Sequence, residues 1–200
     1  MEKINKDDTI LLNIVNMLTA RGHFKEESIK SNYDKLLKQK SEEMIFKLKT
    51  ELTGKTFNVM YVYGKLSTIK KIQGLDLFIN NSKGENRIFI VDNVNQKAYK
   101  MFLELNNTEV FFDYELLINL IDHELQPKFI VLNKEEQEDF YKIWDVDKND
   151  MAKMETTDPV ARYYNLDAGN IIKIIRPSVS AGEGISYRYI KKAPTSNLFE

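Results

Sequence analysis

The chain has 200 residues, 42% of them hydrophobic, so it can bury the core of one large domain or of two small ones. Its 29 Lys and Arg residues nearly balance its 30 Asp and Glu residues, which excludes the global positive field of a self-sufficient DNA-binding protein. The absence of cysteine excludes a disulfide framework, a redox thiol and thiolate-held zinc, and no apolar run approaches the ~20 residues that span a bilayer.

The N-terminal part of the chain begins with a helical pattern. Apolar residues recur at helical spacing over residues 8–20, with Asp8 as the predicted cap and Gly22 after the end. Residues 24–52 are rich in lysine and glutamate and predict one or two surface helices, broken near Ser41. Because acidic residues interleave with these lysines, an ordinary solvated helix face is favoured over a DNA-facing surface.

After Gly54 the pattern becomes that of β-strands. Strands are predicted at residues 57–63, 87–91 and 109–112, with a weaker candidate at 75–79. A helical segment at residues 94–105 separates the last two strands. This order and spacing predict a β-α-β crossover with parallel strands. Residues 114–121 are apolar enough for a short helix or an extended connector.

A second module is predicted to begin near His123. Residues 129–132 form a predicted strand, Asn133 caps the helix that follows, and Trp144 shares one helix face with Phe140 and Ile143. As the single tryptophan of the chain, Trp144 is interpreted as a core or interface residue rather than a ligand platform. Residues 145–154 are expected to be irregular.

The C-terminal third of the chain has the clearest local structure. Asp158 and Pro159 are typical of a helix start, because an Asp side chain accepts orphan amides and proline presets φ. Gly169 supplies a turn. The β-branched run at residues 171–175 predicts a strand covered on both faces and ended by Pro177. A second, antiparallel strand is predicted at residues 185–190.

Several blocks in this third resemble the signature of a known family, the fifth subunit of eukaryotic nuclear RNA polymerases, which has a counterpart in the archaeal polymerase. The matching residues are Asp158–Tyr163, Lys173–Ser178, Ser180–Gly182 and Ile185–Arg188, preceded by His123–Leu125, Pro127 and Val131–Leu132. The sequence departs from the family at Asn165, where glycine is common, and at Glu183 and Gly184, which replace a basic-aromatic pair. Contacts of that loop tip therefore cannot be carried over.

The resemblance implies an α+β protein of two domains. Residues 1–122 would form an N-terminal α/β jaw domain with a nuclease-like core, residues 123–190 a small mixed α+β assembly domain, and residues 191–200 a flexible tail. In this family the assembly domain docks on the largest polymerase subunit, and the jaw lies near downstream DNA. We therefore expect a non-catalytic structural subunit with no cofactor, metal, membrane or small-molecule substrate, and with only weak contact to duplex DNA.

The lysine-, asparagine- and isoleucine-rich composition indicates a divergent member of the family, such as one from a large DNA virus with its own polymerase. The expected location is intracellular: the nucleus, or the cytoplasm and virion for a viral protein.

Basic residues dominate the chain after residue 170, which predicts either a docking surface for an acidic partner or a phosphate-binding strip. The docking interpretation is favoured because the residues belong to the family's docking module. The predicted interface comprises Asp158, Pro159, Arg162, Tyr163, Lys173, Arg176, Pro177, Tyr187 and Arg188, and the predicted domain junction comprises His123, Glu124 and Pro127. The division of the tyrosines between core and interface stays open.

Other chemistries find little support in the sequence. Gly54-Lys55-Thr56 resembles the end of a phosphate-binding loop, but Lys49 stands where its first glycine is required. His123-Glu124 resembles the start of a zinc protease motif, but Pro127 replaces the second histidine.

A metal-dependent nuclease-like enzyme is the main rival, with acidic candidates near strands at Asp76, Asp92, Glu109 and Asp113. A free transcription regulator that binds polymerase transiently is the third hypothesis.

Overall fold

The computed structural model describes residues 5–41, 44–69, 72, 74–178 and 180–199. They form two compact units, one ending at Asn119 and the other beginning at Leu120. Each unit is α+β and has its own sheet. Residues 1–4 and 200, which belong to the predicted jaw and tail, lie outside the described residues. Within the described ranges, no helix is long and apolar enough to cross a membrane.

The N-terminal unit contains four helices and four strands among the described residues. In chain order these are α1 (Lys6–Ala20), α2 (Ile29–Gln39), β1 (Ile45–Lys49), β2 (Thr56–Leu66), α3 (Leu75–Asn81), β3 (Asn86–Val94), α4 (Gln96–Leu103) and β4 (Thr108–Phe112). Short 3-10 turns lie at Glu26–Ser28 and Asp113–Leu116.

The strands of this unit form one sheet in the order β1-β2-β3-β4. The β1–β2 pair is antiparallel, whereas β2–β3 and β3–β4 are parallel. The predicted crossover through α4 is therefore confirmed. Ile88 to Val91 are buried without a break, as expected for a central parallel strand covered on both faces.

Two predicted elements of this unit are wrong. The predicted helix after Ser41 is strand β1, in which buried Phe46 and Leu48 alternate with exposed lysines at period two; residues 42 and 43 of that prediction lie outside the described residues. The weak strand candidate at residues 75–79 is helix α3, because its buried residues Leu75 and Phe78 are spaced for a helix.

The C-terminal unit contains a second four-stranded sheet. Its described elements are β5 (Lys128–Val131), α5 (Lys134–Trp144), β6 (Lys153–Glu155), α6 (Pro159–Tyr163), β7 (Ile171–Ser178), β8 (Gly182–Lys191) and a 3-10 turn at Thr195–Leu198. The strand order is β5-β7-β8-β6, with β5–β7 and β7–β8 antiparallel and β8–β6 parallel. The predicted antiparallel pair β7–β8 is confirmed. Strand β6 begins within residues 145–154, the stretch that was expected to be irregular.

Each face of this sheet is covered by one helix. On the face that we call the α6 face, Val160 and Ala161 pack with Ile172, Ile174 and other buried residues. On the opposite face, called the α5 face, the Phe140 ring of α5 lies 4.6 Å from the Tyr187 ring. Because side chains alternate along a strand, neighbouring residues of β7 belong to opposite faces.

The prediction that Pro177 ends its strand is also wrong. β7 continues through Pro177, which pairs with Glu183 of β8. The pairing with β5 ends at Ile175, so β7 has a neighbour on only one side at Pro177. A proline without an amide donor is tolerated at such an edge position. Asn165 and Gly169 take positive φ angles of 51° and 103°, as the turn signals predicted.

The C-terminal residues make contacts with the sheet. The backbone amide of Ala193 donates to the Thr156 hydroxyl at 3.1 Å, and the Asn197 side chain donates to Glu155 at 3.0 Å. These two hydrogen bonds connect the C-terminal segment to β6 and the residue after it. The flexibility expected of residues 191–200 stays a prediction.

Candidate functional site

A groove with two arginines lies on the α6 face of the C-terminal unit. Helix α6 forms one wall, and its start is fixed as the sequence predicted. The Asp158 carboxylate accepts a hydrogen bond from the amide of Val160 at 2.9 Å, and Pro159 occupies the first turn. Strands β7 and β8 form the opposite wall.

This groove, which we call the arginine groove, has a volume of about 370 Å³. Its apolar lining consists of Leu120, Pro127, Phe129, Met154, Pro159, Val160 and Ile174, and its polar lining of Gln126, Asp158, Arg176, Ser186 and Arg188. Met154, Val160 and Ile174 are buried members of the unit's core, whereas both arginines are exposed. The groove therefore combines an apolar base with cationic side chains at its surface.

The strand register sets the order of these groups along the groove. Three successive cross-strand pairs present the same face: Ile172 with Arg188, Ile174 with Ser186, and Arg176 with Gly184. The two arginines therefore belong to different strands and lie on either side of the Ile174–Ser186 pair. At about 3.3 Å per residue, their backbone positions are about 13 Å apart along the ribbon.

Both arginines lack an ionic partner within the described part of the chain: the ion pairs found there do not include Arg176 or Arg188. The acidic residue of the same hairpin, Glu183, pairs with Pro177 and so belongs to the α5 face. A guanidinium has five donors in a planar fork that matches a carboxylate or a phosphate. The groove can therefore bind an anionic group without breaking an existing ion pair.

The structure brings together some of the predicted site residues and separates others. Those that line the arginine groove are Pro127, Asp158, Pro159, Arg176 and Arg188. By strand alternation, Lys173, Pro177 and Tyr187 belong to the α5 face. The sheet thus divides the predicted interface into two surfaces.

The remaining predicted residues lie elsewhere. Tyr163 is only 6% exposed and its ring packs edge-on against Tyr164, so in the free chain it belongs to the core. Arg162 is half-buried and does not line the groove. His123 and Glu124 are exposed in a turn in which the Leu125 amide donates to His123 Nδ1 at 3.2 Å.

Three aromatic side chains meet on the α5 face. Phe140 and Trp144 of α5 both contact Tyr187, with ring centroids 4.6 and 6.3 Å from it. Trp144 is 58% exposed and Ile143 is 75% exposed. Trp144 is therefore not a core residue, and its predicted interface role stays a prediction.

Most of the groove lining, including Phe129, Ile174 and Ser186, was not predicted from the sequence. The alternation along β7 places Ile174 and Arg176 on one face and could have suggested that pair. The groove residues that β8 contributes depend on the register of the β7–β8 hairpin. The sequence did not define that register, because two glycines, Gly182 and Gly184, lie near the turn.

The acidic residues of the nuclease hypothesis lie in the N-terminal unit, and two of them are ion-paired. Glu109 accepts two hydrogen bonds from Arg21, at 2.9 and 2.7 Å. Asp113 is buried and accepts hydrogen bonds from Lys6 at 2.6 Å and from the Tyr61 hydroxyl at 3.1 Å. The hydrogen bond to Asp113 raises the pKa of Lys6.

Asp76 and Asp92, the other two candidates, are exposed on α3 and β3. Within the described residues, no group of three or more acidic, histidine or cysteine side chains is placed to hold a metal ion.

Comparison with known families identifies the domain that contains the groove. Residues 118–190 match the family RNA polymerase Rpb5, C-terminal domain. The C-terminal unit is an Rpb5 C-terminal domain. The resemblance inferred from the sequence motifs is therefore confirmed for this part of the chain.

Similarity to one relative extends beyond this domain. The chain is 28% identical over 196 residues to DNA-directed RNA polymerase subunit 5 of Acanthamoeba polyphaga mimivirus, covering 94% of each protein. It is 44% identical over 80 residues to the Dictyostelium discoideum DNA-directed RNA polymerases I, II, and III subunit rpabc1, covering 40% of this chain and 41% of that protein.

The Caenorhabditis elegans subunit RPABC1 is 38% identical over 82 residues, covering 41% of this chain and 39% of that protein. The matches to these two cellular relatives therefore span well under half of their length, whereas the viral relative matches along almost its whole length.

Proposed function

We propose that this Rpb5-like chain is a structural subunit of a multisubunit DNA-directed RNA polymerase that docks on the largest subunit through its C-terminal unit. The observation that carries the proposal is the Rpb5 C-terminal domain at residues 118–190, together with near full-length similarity to a viral protein named as polymerase subunit 5. The arginine groove supplies a surface suited to such docking, because its unpaired cations and apolar lining are available to a partner.

In this proposal the N-terminal unit acts as a jaw near downstream DNA. Its helix α2 carries Lys30, Lys35 and Lys38 beside Glu27 and Asp34 on a shallow surface. Because acidic residues interleave with these lysines, this face is not assigned as the DNA-contacting surface, and the contacts of the jaw with phosphates would be weak and salt-sensitive. The duplex would be held mainly by other subunits, and the chain would contribute position rather than chemistry. Its location would follow that of the polymerase, in the nucleus or, for a viral enzyme, in the cytoplasm and virion.

The test is co-purification from the native source. The tagged protein is purified at moderate salt, and the associated chains are identified and counted by mass spectrometry. Equimolar recovery of the largest polymerase subunits is the expected result. Recovery of the protein alone, with intact polymerase present in the same extract, would contradict the proposal, and strongly substoichiometric recovery would indicate a transient regulator.

A nuclease assay completes the test of function. The isolated protein is incubated with duplex and single-stranded DNA in the presence of magnesium or manganese. No cleavage is expected, since Glu109 and Asp113 are occupied by ion pairs. Cleavage that is lost in a Glu109→Gln or Asp92→Asn variant would instead establish the nuclease-like enzyme.

A further inference from the structure

The arginine groove restricts the kind of segment that can bind in it, beyond the general statement that this unit docks on a polymerase subunit. We infer that the groove binds an extended polypeptide segment of the pattern acid-x-apolar-x-acid, in which x is any residue. This inference rests on the proposed function, because it names the chemistry of the partner segment at the same docking unit.

The centre of the groove selects an apolar side chain. Ile174 lies at the middle of the three cross-strand pairs, and Val160 and Met154 pack beside it in the same core. These three side chains are buried and form the floor of the groove, whereas half-buried Phe129, the cross-strand partner of Ile174, and exposed Pro159 supply lining that a partner side chain would remove from water. A charged side chain at this point would lose its hydration without gaining a counter-ion.

The two ends of the groove select anions. Arg176 lies two residues beyond Ile174 on β7, and Arg188 lies two residues from Ser186 on β8, in the opposite direction along the ribbon. Each arginine is therefore about 7 Å along the strand axis from the central pair. In an extended partner, side chains at positions i−2 and i+2 point to the same side as position i, with the same spacing of about 7 Å. Acidic residues at these two positions therefore match the arginines.

Carboxylates fit this groove better than the phosphates of a nucleic acid. An apolar centre offers no partner to a polar sugar-phosphate backbone. Asp158 also lies in the groove, where it would repel a continuous row of phosphates. A segment with two separated carboxylates can place its uncharged middle residue near Asp158. Each guanidinium can then bind one carboxylate through two parallel hydrogen bonds.

Peptide titration of the full chain, followed by the NMR signals of backbone amides and arginine side chains, tests the inference directly. The probe is the peptide Gly-Glu-Ser-Leu-Ser-Glu-Gly with blocked ends. Saturable shifts at Ile174, Ser186 and both arginines, with a Kd of about 1 mM or tighter, are expected. Replacing both glutamates by glutamine should weaken binding about tenfold or more, because each lost carboxylate removes charge-assisted hydrogen bonds.

Two results of the titration would overturn the inference. One is the absence of groove shifts with the acidic peptide. The other is shifts of the same residues with a short DNA duplex that are stronger than those with the peptide, which would make the groove a phosphate-binding strip.

Reversing the charge of both groove arginines and measuring polymerase recovery tests the inference in the assembled complex. The Arg176→Glu, Arg188→Glu double variant should lose at least tenfold in polymerase recovery. The matched control combines Lys128→Glu with Lys191→Glu, which makes the same change in net charge. Both lysines are exposed; Lys128 pairs with Ile175, a residue of the α5 face, and Lys191 pairs with Glu155 of the edge strand β6. The control should recover polymerase as the wild type does. Circular dichroism verifies that both variants are folded.

The outcomes separate the inference from the proposed function. Normal recovery by the folded arginine variant would overturn the role of the groove and leave the proposed function intact. Failure of the wild type to recover polymerase would overturn the proposed function, and the peptide titration would still decide what the groove binds.

Discussion

Arg176 lies over Gly184, its cross-strand neighbour on β8. A β-carbon added at Gly184 would stand 3.7 Å from Arg176 Cγ and 3.8 Å from Arg176 Nε. The arginine side chain therefore lies along the surface of the hairpin, beside the space that a side chain at position 184 would enter. The absence of a side chain at position 184 thus contributes to the shape of the arginine groove.

This contact predicts different effects for two substitutions at one position. In Gly184→Ala the added methyl group makes ordinary van der Waals contact with Arg176, so polymerase recovery should be retained. In Gly184→Val the γ carbons extend further and should displace the Arg176 side chain, which should lower polymerase recovery about tenfold through the lost charge-assisted hydrogen bonds. The Val variant should fold normally, because β-branched residues suit a strand. Equal recovery by the two variants would contradict this account.

Asp158 combines a structural role with a negative charge in the groove. Asp158→Ala should lower the free energy of unfolding of the C-terminal unit by about 1 kcal/mol, because the Val160 amide loses its acceptor. Asp158→Asn keeps an acceptor of similar capping strength and removes the charge, so stability should be retained while an acidic peptide binds more tightly. Denaturant unfolding followed by Trp144 fluorescence measures the first effect, and peptide titration measures the second. Equal destabilisation by both substitutions would show that the charge, not the cap, matters.

Local signals in the sequence predicted the elements whose ends are chemically marked. Asn133 and Asp158 both cap their helices through side-chain hydrogen bonds, and Gly169 takes a positive φ. Two chemically marked ends were nevertheless wrong: α1 begins at Lys6, so Asp8 lies within the helix and is not its cap, and β7 continues through Pro177. The two errors in element type fell where apolar spacing was ambiguous. In the segment around Phe46 and Leu48, every second residue is apolar, but neighbouring apolar residues gave the same stretch an approximate helical period.

The candidate site was only partly predictable, for a different reason. Arg176 and Arg188 could be singled out by charge and motif, but their position on one face with Ile174 depends on a cross-strand register. A shift of one residue in that register would move the whole set to the other face. The separation of Lys173 and Tyr187 from the arginines likewise follows from alternation along two paired strands. Side-chain type alone cannot indicate it.

Arg87 provides a test of the N-terminal unit. Its guanidinium is buried and donates hydrogen bonds to the carbonyls of Ile79, Ser82 and Asn106 at 3.0 to 3.2 Å, and to the Ser82 hydroxyl at 2.6 Å. Arg87→Met should lower the free energy of unfolding by about 3 kcal/mol, because these acceptors would be left without donors. Denaturant unfolding followed by circular dichroism measures it, while Trp144 fluorescence follows the C-terminal unit separately.

The control for Arg87 is Lys83→Met, which changes an exposed residue of the adjoining turn in the same way. It should alter the free energy of unfolding by no more than about 0.5 kcal/mol. A loss below about 1 kcal/mol for Arg87→Met would mean that water replaces the guanidinium at these carbonyls.

His23 should make the stability of the N-terminal unit depend on pH near neutrality. Its ring lies 4.9 Å from the Phe57 ring, and its Nδ1 is 2.8 Å from the Thr53 hydroxyl. Burial, followed by the charges of Lys55 and Arg21, lowers the pKa of His23 below its ordinary value of 6.5. The unfolded chain therefore binds the proton more readily than the folded chain. The stabilising contribution is present above pH 6.5 and is lost as the pH falls through the folded-state pKa.

Replacement of this histidine by a residue that does not titrate should remove that pH dependence. The free energy of unfolding of the wild type should fall more steeply than that of His23→Gln when the pH is lowered from about 7.5 to about 5. The difference between the two curves isolates His23, since the carboxylates of the chain titrate equally in both proteins. Denaturant unfolding at several pH values, followed by circular dichroism, gives both curves. Parallel curves would show that His23 is protonated as easily in the folded unit as in the unfolded chain.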